Sequence, residues 1–205
     1  MDFITIDFET ANSYRNSACE IGLSFVKDNQ IIETKSWLIR PKINHFDPMN
    51  ISIHGITAGD VWKEPRFDEL WKSDLKDLLE NQFLIAHNAS FDFSVLRKTL
   101  DAYDLPYPDL SYSCSYLFAK KIWTEMPRYD LKTLCNQNEI YFRHHRAGSD
   151  ADATAQLALK GFEKMNITCQ ETFSKKLEIT IGKLFKGGYI PSTNHKKAKR
   201  KPKIS

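Results

Sequence analysis

Phe3-Ile4-Thr5-Ile6-Asp7-Phe8-Glu9, close to the N-terminus, alternates with a period of two. A strand sends successive side chains to opposite faces. Ile4, Ile6 and Phe8 therefore share one face, and Phe3, Thr5, Asp7 and Glu9 share the other. Ala18 to Val26 and Ile31 to Ile39 read as two further strands joined by a tight turn at Asp28-Asn29-Gln30. Pro41 and Pro48 mark a loop that continues through Ile53-His54-Gly55-Ile56.

Beyond the loop the pattern alternates between helix and strand. Phe67, Leu70, Trp71, Leu75, Leu78 and Leu79 recur at helical spacing and predict a helix over about Arg66–Glu80. Phe83-Leu84-Ile85-Ala86 is a short apolar strand, and Ser90 caps a helix carrying Phe91, Val95, Leu96 and Leu100. A strand near Tyr112, helices over Ser115–Ile122 and Asp130–Asn136, and a long helix capped by Ser149 complete the chain. The last helix is rich in alanine (Ala151, Ala153, Ala155, Ala158) and could lie close against a sheet. Three antiparallel strands followed by alternating helix and strand imply an α/β domain with a mixed sheet.

The 205 residues fit one domain with a short appendage, and 41% hydrophobic against 27% charged residues is the balance of a soluble globular protein. No apolar run reaches the roughly 18 residues of a membrane span, and the acidic start is unlike a signal peptide. Cys19, Cys114, Cys135 and Cys169 lie far apart, without zinc spacing, and read as reduced thiols of a cytoplasmic protein. The net charge of +3 is uneven. Eight basic and no acidic residues fall between Ile179 and Ser205, and removing those eight from the 29 Lys and Arg leaves 21 against 26 acids, about −5 for residues 1–178. The expected organisation is a domain over 1–178 and a basic tail over 179–205. That tail should be mobile from about Lys186, where Gly187, Gly188, Pro191 and a lysine run follow, and its lysines could bind phosphates non-specifically.

Three clusters carry chemistry. Asp7 and Glu9 project from one strand face, where two neighbouring carboxylates repel each other unless a cation compensates, and hard divalent ions prefer such oxygens. His87-Asn88-Ala89-Ser90-Phe91-Asp92 follows a strand and opens a helix, the place where α/β sheets put ligands. His145-Arg146-Ala147-Gly148-Ser149-Asp150 puts a histidine on an adaptable loop before a helix, and an imidazole titrating near neutrality suits a base for a water nucleophile. Each cluster alone has an ordinary explanation, such as a solvated acidic face, a carboxylate at a helix dipole, or a surface histidine.

In this order and context the clusters resemble the DEDDh exonuclease superfamily, whose relatives include the epsilon proofreading subunit of bacterial DNA polymerase III. The similarity spans roughly residues 2 to 162. Asp7-Phe8-Glu9-Thr10 is similar to its first motif, and the clusters ending in Asp92 and Asp150 are similar to its second and third. The resemblance implies a ribonuclease-H-like five-stranded mixed sheet and a metal-dependent 3′–5′ exonuclease. Asp7, Glu9, Asp92 and Asp150 would hold two divalent ions, Mg²⁺ or Mn²⁺, and the products would be 5′-mononucleotides.

The family base stands five residues before the last Asp, which implies His145 rather than His144. The sister branch has a tyrosine four residues before that Asp, and Arg146 stands there instead. The resemblance extends to the loop Ile53-His54-Gly55-Ile56-Thr57 and implies contact with the terminal nucleotide through Thr10 and His54, with Met49 and Asn50 as further candidates. Phe8 and Phe91 could line a base pocket or serve as core aromatics. Thr10-Ala11-Asn12 departs from the Thr-Thr-Gly or Thr-Gly continuation seen in many relatives. The implied partner is a nucleic acid with a free 3′ end, DNA ahead of RNA, in a bacterial cytoplasm. The alternatives are an exoribonuclease trimming RNA or short oligonucleotides, and a proofreading subunit acting mainly by binding a DNA polymerase.

Overall fold

The computed structural model describes residues 1–195. The lysine run beginning at Lys196 lies outside the described residues. The opening stretch is strand β1 (Phe3–Thr10); β2 (Ala18–Lys27) pairs antiparallel with it, and β3 (Gln30–Leu38) pairs antiparallel with β2. The β2–β3 turn places Asp28 and Asn29 at φ 51° and 60°, which Asp and Asn tolerate in tight hairpins. Two crossover units then add β4 (Phe83–Ala86) parallel to β1 and β5 (Leu110–Cys114) parallel to β4.

The alternation in β1 sorts two cores. Ile4, Ile6 and Phe8 pack in the cluster that contains Phe67, Leu75 and Leu79 from the helical run Phe67–Leu79 and Phe93, Leu96 and Leu100 from α4 (Ala89–Ala102). Phe3 packs on the opposite side with Phe118 of α5 (Ser115–Ile122), Phe162 and Phe173. The sheet is thus covered on both faces, as an α/β sheet requires. The run Phe67–Leu79 comprises α2 (Phe67–Leu70), a π-helical turn (Trp71–Leu75) and α3 (Lys76–Leu79).

The alanine-rich helix α7 (Ala147–Lys164) lies hard against β1 and β2. Gly22 of β2 makes this possible, because a Cβ there would sit 2.1 Å from the Ala147 carbonyl and 2.3 Å from the Gly148 nitrogen. Thr5 Oγ1 donates to the Ala151 carbonyl at 2.7 Å, fastening the helix across the buried interface.

Four expectations are corrected. Residues 41–56 are not loop throughout, since Pro48 starts α1 (Pro48–His54) and Gly55 at φ 77° ends it. Asn88, at φ 63°, precedes α4 in place of Ser90, and the Ser90 hydroxyl turns back to Asn88 Oδ1 at 3.2 Å. Helix α7 begins at Ala147 rather than after Ser149, because Glu20 from β2 accepts the Ala147 N–H at 3.0 Å. Ser149 instead accepts the Arg143 N–H at 2.9 Å.

The fourth concerns the segment from Ile179. After α6 (Leu131–Gln137) and α8 (Gln170–Leu177), it forms strands β6 (Ile179–Thr180), β7 (Gly182–Phe185), β8 (Gly188–Ile190) and β9 (Thr193–Asn194). The buried Leu184 anchors β7 against β5, and Gly187 at φ 90° turns the chain into β8. The five expected strands therefore sit in a seven-stranded sheet of order β3-β2-β1-β4-β5-β7-β8, while β6 pairs with β9. All four cysteines are free, and Cys19, Cys114 and Cys135 are buried. Among the described residues no helix is long and apolar enough to cross a membrane.

Candidate active site

β1, β4 and β5 run parallel, so their carboxyl ends lie side by side, where loops and helix N-termini gather. A cleft of about 1020 Å³ opens there, lined by Asp7, Glu9, Thr10, Asn50, His54, Phe91, Asp92, His145 and Asp150 among others. The β1–β2 ladder shifts register between Glu9 and Thr10, a bulge that breaks regular pairing at the rim of the cleft.

Asp7, Glu9 and Asp150 each offer a ligand oxygen within 4.8 Å of the others. Burial, then Asp92, Asp150 and Glu9, raise the Asp7 carboxyl well above its usual range. Burial, Asp150 and Glu20 push Glu9 up to about 8, with Arg146 opposing. Asp92 is 2% exposed; its Oδ1 accepts the Phe8 N–H at 3.2 Å, while its buried Oδ2 has no partner among the described residues. Burial raises its carboxyl too.

A buried unpaired carboxylate oxygen beside three crowded acids is costly for a protein by itself. The donor set is all oxygen and strongly negative, which fits a hard divalent cation. The residues present therefore fit the metal that the motifs imply.

Asp150 is positioned by a chain of contacts. Its Oδ1 lies 2.7 Å from Nδ1 of His144, and its Oδ2 accepts the Arg146 N–H at 3.0 Å. Arg146 is held by Glu20 at 2.8 and 3.3 Å, and the same Glu20 carboxylate holds the start of α7. Glu20 is 1% exposed while Arg146 is half-buried, and the two form a two-pronged, charge-assisted anchor. His144 and not His145 bonds Asp150. His145, at φ 64°, stacks on His144 with ring centres 3.8 Å apart and lines the cleft. Burial and the neighbouring His144 hold its imidazole below its ordinary value, with Asp150 pulling the other way.

On the other side of the cleft, α1 grips the end of β1. His54 Nδ1 accepts the Ile56 N–H at 2.9 Å, which leaves Nε2 to donate to the Thr10 carbonyl at 3.2 Å. Asn50 donates to the same carbonyl at 2.8 Å. Met49 is 74% exposed and outside the lining; Ile53, one turn later, lines the cleft in its stead. Phe91 is half-buried at the wall, with the Arg15 guanidinium 4.1 Å above its ring. Phe8 is 3% exposed and belongs to the core while bordering the cleft floor.

The sequence reading missed the far wall, made of His87, Tyr116, Lys120, Arg128, Tyr129 and Asp130, and the Glu20–Arg146 anchor. The signal for the wall was the pairing of Tyr116 with Lys120 one turn on, and the adjacent Arg128-Tyr129.

Residues 4–158 match the family model RNase_T, described as exonuclease. The chain is 31% identical over 171 residues to the PolC-type DNA polymerase III of Thermotoga petrophila, covering 80% of this chain and 12% of that one. It is 27% identical over 165 residues to the 3′–5′ exonuclease DinG of Staphylococcus epidermidis, 79% of this chain and 18% of that one. The chain thus spans less than a fifth of these curated relatives. Exonuclease X, solved in complex with 5′ overhanging duplex DNA, superposes with a TM-score of 0.69 at 25% identity, covering 85% of this chain and 99% of that one. With this match over most of its length and the acids of all three motifs gathered at one cleft, the chain belongs to the RNase_T exonuclease family.

Proposed function

We propose that this chain hydrolyses the terminal phosphodiester of a nucleic acid strand from its 3′ end, releasing 5′-mononucleotides, with single-stranded DNA as the principal substrate. The observation that carries the reading is the convergence of Asp7, Glu9 and Asp150 within 4.8 Å, beside the unpartnered oxygen of Asp92. Asp7, Glu9, Asp92 and Asp150 would hold two divalent cations, Mg²⁺ or Mn²⁺, whose chemistry when bound is to acidify a water and to neutralise charge at the leaving 3′ oxygen.

His145 takes the proton from the attacking water. Its imidazole is kept in the neutral form that accepts one by burial and by the stacked His144. His144, in contact with Asp150, steadies that carboxylate rather than acting as base. His54 and Asn50 fix the Thr10 carbonyl and so shape the end of the cleft that receives the last nucleotide. Phe91 supplies an aromatic wall for its base.

Similarity to a PolC-type polymerase supports service beside a DNA polymerase, which co-purification tests. The central experiment is Asp150→Asn assayed on a 5′-labelled single-stranded oligonucleotide with Mg²⁺. Loss of a ligand and its charge is expected to lower the rate about a thousandfold. A folded variant, verified by circular dichroism, that degrades the strand at the wild-type rate would overturn the assignment.

A further inference from the structure

The cleft has two unlike ends. At the β1 end it is lined by His54 and Thr10, each 6% exposed and bonded to each other. At the β5 end it is flanked by the exposed Lys120 and Arg128 and by the half-buried rings of Tyr116 and Tyr129. A strand whose 3′ terminal phosphodiester sits at the acids must place its last nucleotide on one side of them and the rest of its chain on the other. The buried β1 end suits the single terminal nucleotide, and the exposed cations of the Lys120 end suit the strand leading away from it.

That end is also where the cleft changes sign. The Lys120 ammonium lies 4.1 Å from the Tyr116 ring centre and 5.7 Å from that of Tyr129, and the two rings meet edge to face at 6.3 Å. Cation–π contact holds the charge over the rings while leaving its hydrogens to an anion. Among the described residues no carboxylate pairs with Lys120, whereas Arg128 is already engaged by Asp130 at 3.3 Å. The wall is fixed from below. Tyr116 packs edge to face on His87, whose Nδ1 lies 2.7 Å from the Ser115 hydroxyl, and the Tyr129 hydroxyl donates to the Trp123 carbonyl at 2.7 Å.

We propose that Lys120, set between Tyr116 and Tyr129, binds the phosphodiester immediately upstream of the one cleaved, and that these rings stack the base attached there. This rests on the exonuclease reading and extends it. The site takes a strand of at least three nucleotides and grips it through backbone charge and a base face, which makes recognition here indifferent to base identity.

The test measures the affinity of the intact chain for a 5′-fluorescein oligothymidylate by anisotropy, with Ca²⁺ replacing Mg²⁺, across a salt series. Lys120→Gln is expected to lower the slope of log Kd against log salt by about 0.7, and to weaken binding about fivefold at ~0.1 M salt. Lys120→Arg should restore the slope. Lys121→Gln removes the neighbouring charge, which faces Glu178 at 3.6 Å, and should match the wild type. A Lys120→Gln slope and affinity equal to wild type, or an equal loss in Lys121→Gln, would overturn the subsite. A wild type that neither binds nor degrades the strand would instead sink the nuclease reading itself.

Discussion

Replacing Glu9 by glutamine is expected to stabilise the protein in chelator and to weaken its response to Mg²⁺. Glu9 faces Glu20 directly across the β1–β2 ladder and shares the cleft with Asp7 and Asp150, yet makes no side-chain hydrogen bond among those described. Burial and these neighbours move its carboxyl from an ordinary 4.5 to about 8. Because the folded-state value lies above the unfolded one, the native protein holds this proton more tightly. The stability it contributes is complete below pH 4.5 and is lost as pH climbs, until nothing remains above 8. Between 4.5 and 7, at 1.36 kcal/mol per unit, the ceiling is about 3 kcal/mol. Glu9 keeps some solvent contact, so the observable part is about 1–2 kcal/mol, or roughly 2–8 °C in Tm for a chain of this size.

The assay is thermal melting of wild type and Glu9→Gln in EDTA from pH 4.5 to 8, repeated with Mg²⁺. The two proteins should melt together at the acid end and diverge toward pH 8, with the variant higher. Mg²⁺ should then raise the wild-type Tm by more than that of the variant. Parallel melting across the whole range, or an equal Mg²⁺ shift in both, would refute the reasoning that these acids are held for a cation.

Two further perturbations test how the site is supported. Gly22→Ala drives a methyl into the backbone of Ala147 and Gly148, which cannot move without lifting α7 off the sheet; a loss of at least about 3 kcal/mol in urea unfolding is expected, and an unchanged midpoint would contradict the contact. Glu20→Ala strips Arg146 and the start of α7 of their shared carboxylate and should cost about 1–3 kcal/mol, with a fall in exonuclease rate that Glu20→Gln partly rescues because the amide oxygen still accepts from Ala147. Equal stability of Glu20→Ala and wild type would show that the pair does not anchor the third motif.

Much of this arrangement is written locally and therefore readable. The period-two pattern of residues 3–9 sorts Phe3 from Ile4, Ile6 and Phe8 into separate cores and puts Asp7 and Glu9 at the sheet's carboxyl end. The unread parts depend on partners distant in sequence. Glu20 and Arg146 stand 126 residues apart, so no periodicity announces their pairing or shows that Glu20, rather than Ser149, sets the start of α7. Tyr116 and Lys120 look like an ordinary exposed turn of α5 until the parallel pairing of β4 and β5 brings them beside the acids. Strands β7 and β8 are short and glycine-bounded, with Leu184 as the main buried anchor, and a composition rich in glycine and lysine hides such pairing. Met49 and Ile53 sit four apart on α1, a helix that a loop reading could not orient, and it is Ile53 that meets the cleft.

The most direct test of the central claim is polarity and metal dependence in one experiment, using single-stranded DNA and RNA of matched sequence, each labelled at its 3′ or its 5′ end. With Mg²⁺, the 3′ label should be released at once as a mononucleotide while the 5′-labelled strand shortens through a ladder, DNA faster than RNA. EDTA should abolish both. Early release of the 5′ label, cleavage within the strand, or full activity in chelator would contradict the account.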